Sequence, residues 1–144
     1  MSTALQSAQE SNMTFASDLV LDDADGTDVT YRLRATLPDG SQRIDIATDL
    51  RNPALLTIKH SSTGKGADAI DRHLASFTRT MTDTNGKQVT LTCNFTLAVP
   101  RNSVITNQIV YDQVANLLDF LSDGALTTAL SDTDAIQALL RGES

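Results

Sequence analysis

Between Val29 and Val99 apolar and polar residues alternate with period two in segments separated by turn residues, the pattern of antiparallel strands. From Val29 to Leu37 the odd positions are Val29, Tyr31, Leu33, Ala35 and Leu37, with Thr30, Arg32, Arg34 and Thr36 between them. Pro38-Asp39-Gly40 predicts a turn, after which Arg43 to Ala47 resumes with Ile44 and Ile46 on a common face, and Asn52-Pro53 closes that strand. Ala54 to Ser61 sets Leu56 and Ile58 against Thr57, Lys59 and Ser61, and a loop through Thr63-Gly64-Lys65-Gly66 leads to a longer strand, Ile70 to Thr82. Asn85-Gly86 predicts a tight hairpin turn, because both residue types tolerate positive φ. In Val89 to Val99 the apolar set Leu91, Cys93, Phe95, Leu97 and Val99 is unbroken, as is the polar set Thr90, Thr92, Asn94 and Thr96. A slip of one residue would invert every side chain, so this register is well specified.

After Pro100 the period becomes helical. Asn102 or Ser103 can cap a helix in which Val110, Val114, Leu117, Leu118 and Leu121 recur three and four apart, and Asp123-Gly124 stops it. A second helix is predicted over Asp132 to Arg141, capped by Ser131, with Ala135, Ile136, Leu139 and Leu140 as its stripe and Gly142 as its stop. Ile109, Tyr111 and Phe120 widen the apolar surface of the first helix beyond what one sheet face needs, which points to a second cover: either a well-buried helix in a monomer or, the favoured reading, a helix shared across a dimer interface.

Composition sharpens this picture. With 144 residues the chain fits one domain, and with 4% aromatic residues and no Trp its core must come from Leu, Ile, Val and Ala, anchored by Phe77, Phe95 and Phe120. That is a thin core for a monomer. The single cysteine, Cys93, excludes an internal disulfide and a cysteine-rich metal cluster. The polar segment Met1 to Asn12 lacks the features of a signal peptide and no apolar run reaches membrane-spanning length, so a soluble protein made in a cytoplasm is expected. The formal charge is −7, unevenly spread. Residues 1–26 hold five acids and no base, residues 102–144 six acids and one base, and residues 27–101 ten bases against seven acids, a net of +3. An acidic exterior and a mildly basic central sheet follow.

Candidate chemistry is sparse. Asp22-Asp23-Ala24-Asp25-Gly26 has the look of a calcium loop, yet aligning Gly26 puts Leu21 at the first ligand position and Arg32 where the bidentate Glu belongs, so an acidic turn is the better reading. Gly64-Lys65 lacks the remaining residues of a phosphate loop. His60 and His73 have no nucleophile or acid in a catalytic context, and Cys93, on an apolar strand face, reads as a buried, inert thiol. No enzyme, cofactor or metal is indicated.

An N-terminal β-hairpin, an antiparallel sheet of about five strands and two C-terminal α-helices make an α+β chain. That order, with the stretch from His73-Leu74-Ala75-Ser76-Phe77-Thr78-Arg79-Thr80 through Asn94-Phe95-Thr96-Leu97-Ala98-Val99-Pro100-Arg101-Asn102 and into the helix, resembles the coat proteins of single-stranded RNA bacteriophages, the levivirus-like family. The likeness covers nearly the whole chain as architecture and concentrates in residues 70–121 as sequence. It implies one coat-protein domain over 1–144, with a hairpin and sheet in 1–101 and a helical dimerisation region in 102–144. Two subunits would join their sheets edge to edge into an interlocked dimer with a continuous sheet. Dimers would close into an icosahedral shell packaging single-stranded viral RNA, assembled in the bacterial host cytoplasm and found in the virion. Ile109, Val110, Tyr111, Val114, Leu117, Leu118 and Leu121 would then form the dimer interface. The polar sheet face would become the RNA surface, with Thr57, Lys59, Ser61, Arg72, Ser76, Thr78, Thr92, Asn94 and Thr96 as its contacts and Lys59 as the foremost one, where the family often has a base. Family members often also bind one RNA hairpin as a translational repressor, stacking an aromatic on a base, and this face offers no aromatic. The connection at Thr84-Asn85-Gly86 is shorter than the family's usual loop. The alternative reading is a small soluble α+β binding module that forms no shell.

Overall fold

The computed structural model describes residues 15–122 and 135–143. It divides into a sheet unit, up to Asp22 and from Asp28 to Arg101, and a second unit formed by Asp23–Thr27 and the chain from Asn102. In the sheet unit six antiparallel strands follow chain order: β1 (Asp18–Asp22), β2 (Asp28–Leu37), β3 (Gly40–Asp45), β4 (Ala54–Thr63), β5 (Ile70–Thr82) and β6 (Gln88–Pro100). The five alternating segments are all present. The added strand, β1, has five residues, too few for alternation to reveal it.

The sheet is curled. Tyr31 on β2 and Phe77 on β5 meet edge to face with ring centroids 5.7 Å apart, whereas three strand spacings in a flat sheet would separate them by roughly 14 Å. Leu19 on β1 likewise packs with Leu56 on β4, with Ala16, Tyr31, Ile58 and Phe77 around them. The β1–β2 hairpin therefore rolls over the apolar face of β4 and β5. Burying Leu19 and Leu56, 4% and 3% exposed, contributes about 1.5–3 kcal/mol each.

A bulge bends β2 and corrects the reading of its alternation. Leu33 pairs with Arg43 and Ala35 with Gln42, so Arg34 is an extra residue on β2. Such an insertion bends and twists the strand. Beyond it the phase of β2 inverts: Ala35 and Leu37 pair with Gln42 and Gly40 and leave the face of Tyr31 and Leu33. On β3, which pairs with β4 without a bulge, Arg43 stands opposite Leu56, points into the roll and is 3% exposed, while Ile44, opposite Leu55, lies on the polar face. Ile46 lies past the end of β3 and is exposed, not aligned with Ile44 in the strand. The Arg43 guanidinium donates to Ser41 Oγ at 2.7 Å and to the Ala16 carbonyl at 2.9 Å. Its Nε has no partner, and burial pulls its pKa below the ordinary value.

Turns are built alike at two places. At Asp23–Thr27 and Asp83–Lys87 the first residue's amide donates to the last residue's carbonyl, and the amide of Gly26 or Gly86, at φ 79° or 80°, donates to the first residue's carbonyl. The Asp23 carboxylate accepts from the Asp25 and Thr27 amides, and that of Asp83 from Asn85 and Lys87. Asn85-Gly86 is thus part of a three-residue loop, with Gly86 supplying the positive φ, rather than a two-residue turn. The acidic segment around Asp23 is a turn, its first carboxylate occupied by backbone. Gly40 serves a different need. A Cβ there would come within 1.8 Å of the Ile58 carbonyl oxygen of β4.

In the second unit α1 spans Asn107–Leu121 and α2 spans Ala135–Leu140. Thr106, not Asn102 or Ser103, caps α1, accepting from the Ile109 amide at 3.3 Å. Asn102 instead accepts from the Val104 amide in the preceding turn. Gly142, at φ 76°, ends α2 with a bond to the Leu139 carbonyl. Asp123-Gly124, Ser131, Asp132 and Asp134 lie outside the described residues.

Candidate nucleic-acid interface

Period-two geometry sends alternate side chains of β4, β5 and β6 to opposite faces, and the pairing register shows which residues share each face. Thr57 stands opposite Ser76, which stands opposite Asn94. Leu55, Thr78 and Thr92 form the neighbouring row, Lys59, Leu74 and Thr96 the next, and Ser61, Arg72 and Ala98 the last. All nine residues expected at the RNA surface therefore occupy one face. The register extends this face beyond the nine: Thr80 stands opposite Thr90, Thr82 opposite Gln88, and Gln42 opposite Thr57. Thr90 already belongs to the visible polar set of its strand, and Thr80 continues the period of β5 and could have been read from it. Gln42 could not, since it is in phase with Ile44, whose apolar side chain conceals that this phase of β3 faces the polar side.

The face is a field of hydroxyls and amides held by their own contacts. Ser76 Oγ donates to Asn94 Oδ1 at 2.6 Å, the Thr80 and Thr90 hydroxyls lie 3.0 Å apart, and Gln42 Nε2 donates to Thr57 Oγ1 at 3.4 Å. On β4 to β6 this face carries two cations, Lys59 and Arg72, and no acid. Arg72 donates to Thr63 Oγ1 at 2.6 Å, which orients the guanidinium and leaves its charge uncompensated. Lys59 is exposed. On β2, Arg32 forms an exposed ion pair with Asp18 at 3.2 Å, and Arg34 donates to Gln42 Oε1 at 2.9 Å. Low counter-charge and dense hydrogen-bonding capacity suit a polyanion whose phosphates, riboses and base edges all accept or donate. Tyr31, Phe77 and Phe95 all belong to the opposite face, so stacking on an aromatic has no place on this one.

The opposite face changes character across the sheet. Under the hairpin Ala54 and Leu56 are buried, while on β6 Val89 and Leu91 are 47% and 70% exposed and Cys93 is exposed. The expected burial of Cys93 is thus corrected: β6 is the last strand of the sheet and the hairpin does not extend over it. One long edge of β6, 13 residues, has no strand beside it among the described residues. Phe77 and Phe95 are half-buried, and Phe120 is 52% exposed. Taken within its own unit, α1 buries no residue. Ile109, Tyr111, Leu117 and Leu118 are exposed, and Val110, Val114 and Leu121 half-buried.

No protein-family model and no curated protein matches the chain in sequence. Solved structures match its fold. The coat protein of bacteriophage EMS014 superposes with a TM-score of 0.63 at 16% identity, over 89% of this chain and 97% of that one. The virus-like particle of bacteriophage GQ-907 gives 0.59 at 20% identity, over 69% and 77%, and that of Beihai levi-like virus 21 gives 0.53 at 16%, over 74% and 84%. The chain has the coat-protein fold of levi-like bacteriophages, as the likeness of residues 70–121 implies.

Proposed function

We propose that the chain is a bacteriophage coat protein, one domain that dimerises and assembles into an icosahedral shell around single-stranded RNA. The unpartnered β6 edge and the bare apolar face beside it carry this reading. A long exposed edge strand with apolar side chains is an aggregation hazard unless another chain covers it, and a second copy pairing β6 to β6 would remove the edge and continue the sheet. The seven apolar residues named on α1 would find their cover in the same event. Such a protein acts by assembly and needs no catalytic group. It would be found in the virion, after assembly in the host cytoplasm.

RNA would lie on the polar face. Lys59 and Arg72 would contact phosphate, and the threonines, Ser61, Ser76 and Asn94 would hydrogen-bond ribose or base edges. With two uncompensated cations on β4 to β6 and no aromatic, the face supports packaging that tolerates many sequences over capture of one hairpin for translational repression. Counter-ion release from two phosphate contacts gives a salt dependence of roughly −1.4 in log affinity per log salt for each subunit.

Size-exclusion chromatography and negative-stain microscopy of the recombinant chain test assembly. Megadalton particles containing host RNA are expected, and a small monomer free of nucleic acid would sink the proposal in favour of a lone α+β binding module. Lys59→Glu tests the face: dimers should persist while the nucleic-acid share of ultraviolet absorbance falls. Unchanged RNA content would remove Lys59 from the interface.

A further inference from the structure

His60 and His73 stand opposite one another on β4 and β5. Their Nδ1 atoms lie 2.9 Å apart, with ring centroids at 5.1 Å and ring planes at 68°. His60 is exposed and His73 half-buried, on the face opposite the polar field. At this distance one Nδ1 carries the proton and the other offers its lone pair. Moving that proton to Nε2 of the same ring leaves two Nδ1 lone pairs that face one another along the N–N line, with no net change in protonation, and a turn of each ring would bring both onto an ion beside that line.

Two nitrogens 2.9 Å apart subtend about 90° at an ion about 2.0–2.1 Å from each. That is the angle between neighbouring ligands of a tetragonal or square-planar ion. A tetrahedral ion at the same bond length needs the nitrogens roughly 3.4 Å apart. Asp71, two positions from His73 on the same face, is not a third ligand here: Arg101 donates to both its oxygens at 2.8 and 2.9 Å, and Ser62 donates to it at 2.8 Å. That network fixes the strands beside the pair.

We propose that His60 and His73 form a two-imidazole site for a divalent transition-metal ion of tetragonal preference, Cu2+ or Ni2+ ahead of Zn2+, with water completing the coordination. A bound ion would clasp β4 to β5 near the Gly64–Gly66 loop and stabilise the folded chain by mass action. The site lies within one chain and does not rest on the coat-protein reading.

The chain has two histidines, so wild-type protein without an affinity tag gives an unambiguous test. Titration calorimetry with CuCl2 and NiCl2 should show one ion per chain, and pulsed electron paramagnetic resonance of the Cu2+ form should show two imidazole nitrogens on each ion. The thermal midpoint should rise with added metal. His60→Asn and His73→Asn should each weaken binding at least tenfold and leave one imidazole, and Ni2+ should bind more tightly than Zn2+. A wild-type spectrum with one imidazole or none, absence of saturable binding, or Zn2+ ahead of Ni2+ would overturn the proposal. The wild-type spectrum decides the matter even where a variant fails to fold.

Discussion

Strands β4 and β6 carry the same alternation and meet opposite fates. On β4 the apolar residues Ala54 and Leu56 are 6% and 3% exposed; on β6 Val89 and Leu91 are 47% and 70% exposed. Nothing in the composition of the strands accounts for this. The difference is position: the β1–β2 hairpin rolls over β4 and does not reach β6. Alternation reports that a face will be covered, but the cover can come from the same chain or from another. Stability of the folded chain is thereby concentrated at β1 to β5, and the apolar surface of β6 remains available for association.

Leu56→Ala should break the comparison most severely, removing about 2–5 kcal/mol of stability in denaturant unfolding because the cavity opens beneath the hairpin. Gly40→Ala drives a Cβ to within 1.8 Å of the Ile58 carbonyl oxygen, and forced separation of β3 from β4 should cost about 1–3 kcal/mol. Acid should act through Asp71. Its hydrogen bonds from Arg101 and Ser62 hold its pKa at about 2, below the ordinary 3.8. The unfolded chain takes up that proton first as the pH falls, so this contribution is present above the ordinary value and is lost towards pH 2. Asp71→Asn should flatten the stability profile in that window. Leu91→Ala should change unfolding of the disassembled chain by less than about 0.5 kcal/mol while lowering particle yield, and equal yield would show that β6 is not the contact surface. The smallest effect belongs to Asp28→Asn. Asp28 faces Asp22 in register, and the shared hydrogen bond and like charge raise its carboxyl pKa. Neutralising it should slightly raise the thermal midpoint at neutral pH, where the charged pair is unfavourable.

Much of this architecture is legible in residue order. Alternation places β2, β4, β5 and β6, and the polar members of the last three fall on one face because their pairings run without a bulge. It fails where a single residue intervenes. The extra residue at Arg34 leaves no mark in composition, yet it moves Ala35 and Leu37 off the face of Tyr31 and Leu33. Cys93 fails for another reason, since an apolar position does not say whose side chains will cover it. Capping misleads between near-equals: Asn102, Ser103 and Thr106 all suit the role, and Asn102 is already engaged with Val104. The His60–His73 contact joins residues thirteen apart and requires the β4–β5 register to be seen.

The bulge at Arg34 also governs which cations can act together. Because the sheet closes around Leu19 and Leu56, its polar side is convex where β2 and β3 turn away. Arg32 and Arg34 sit on that outer curve, and Lys59 and Arg72 on the strands beyond it. A flexible strand of RNA laid along β4 to β6 would thus have to bend around a corner to reach all four. On the proposed reading, this curvature would make the basic residues two separate anchoring points for RNA instead of a single strip.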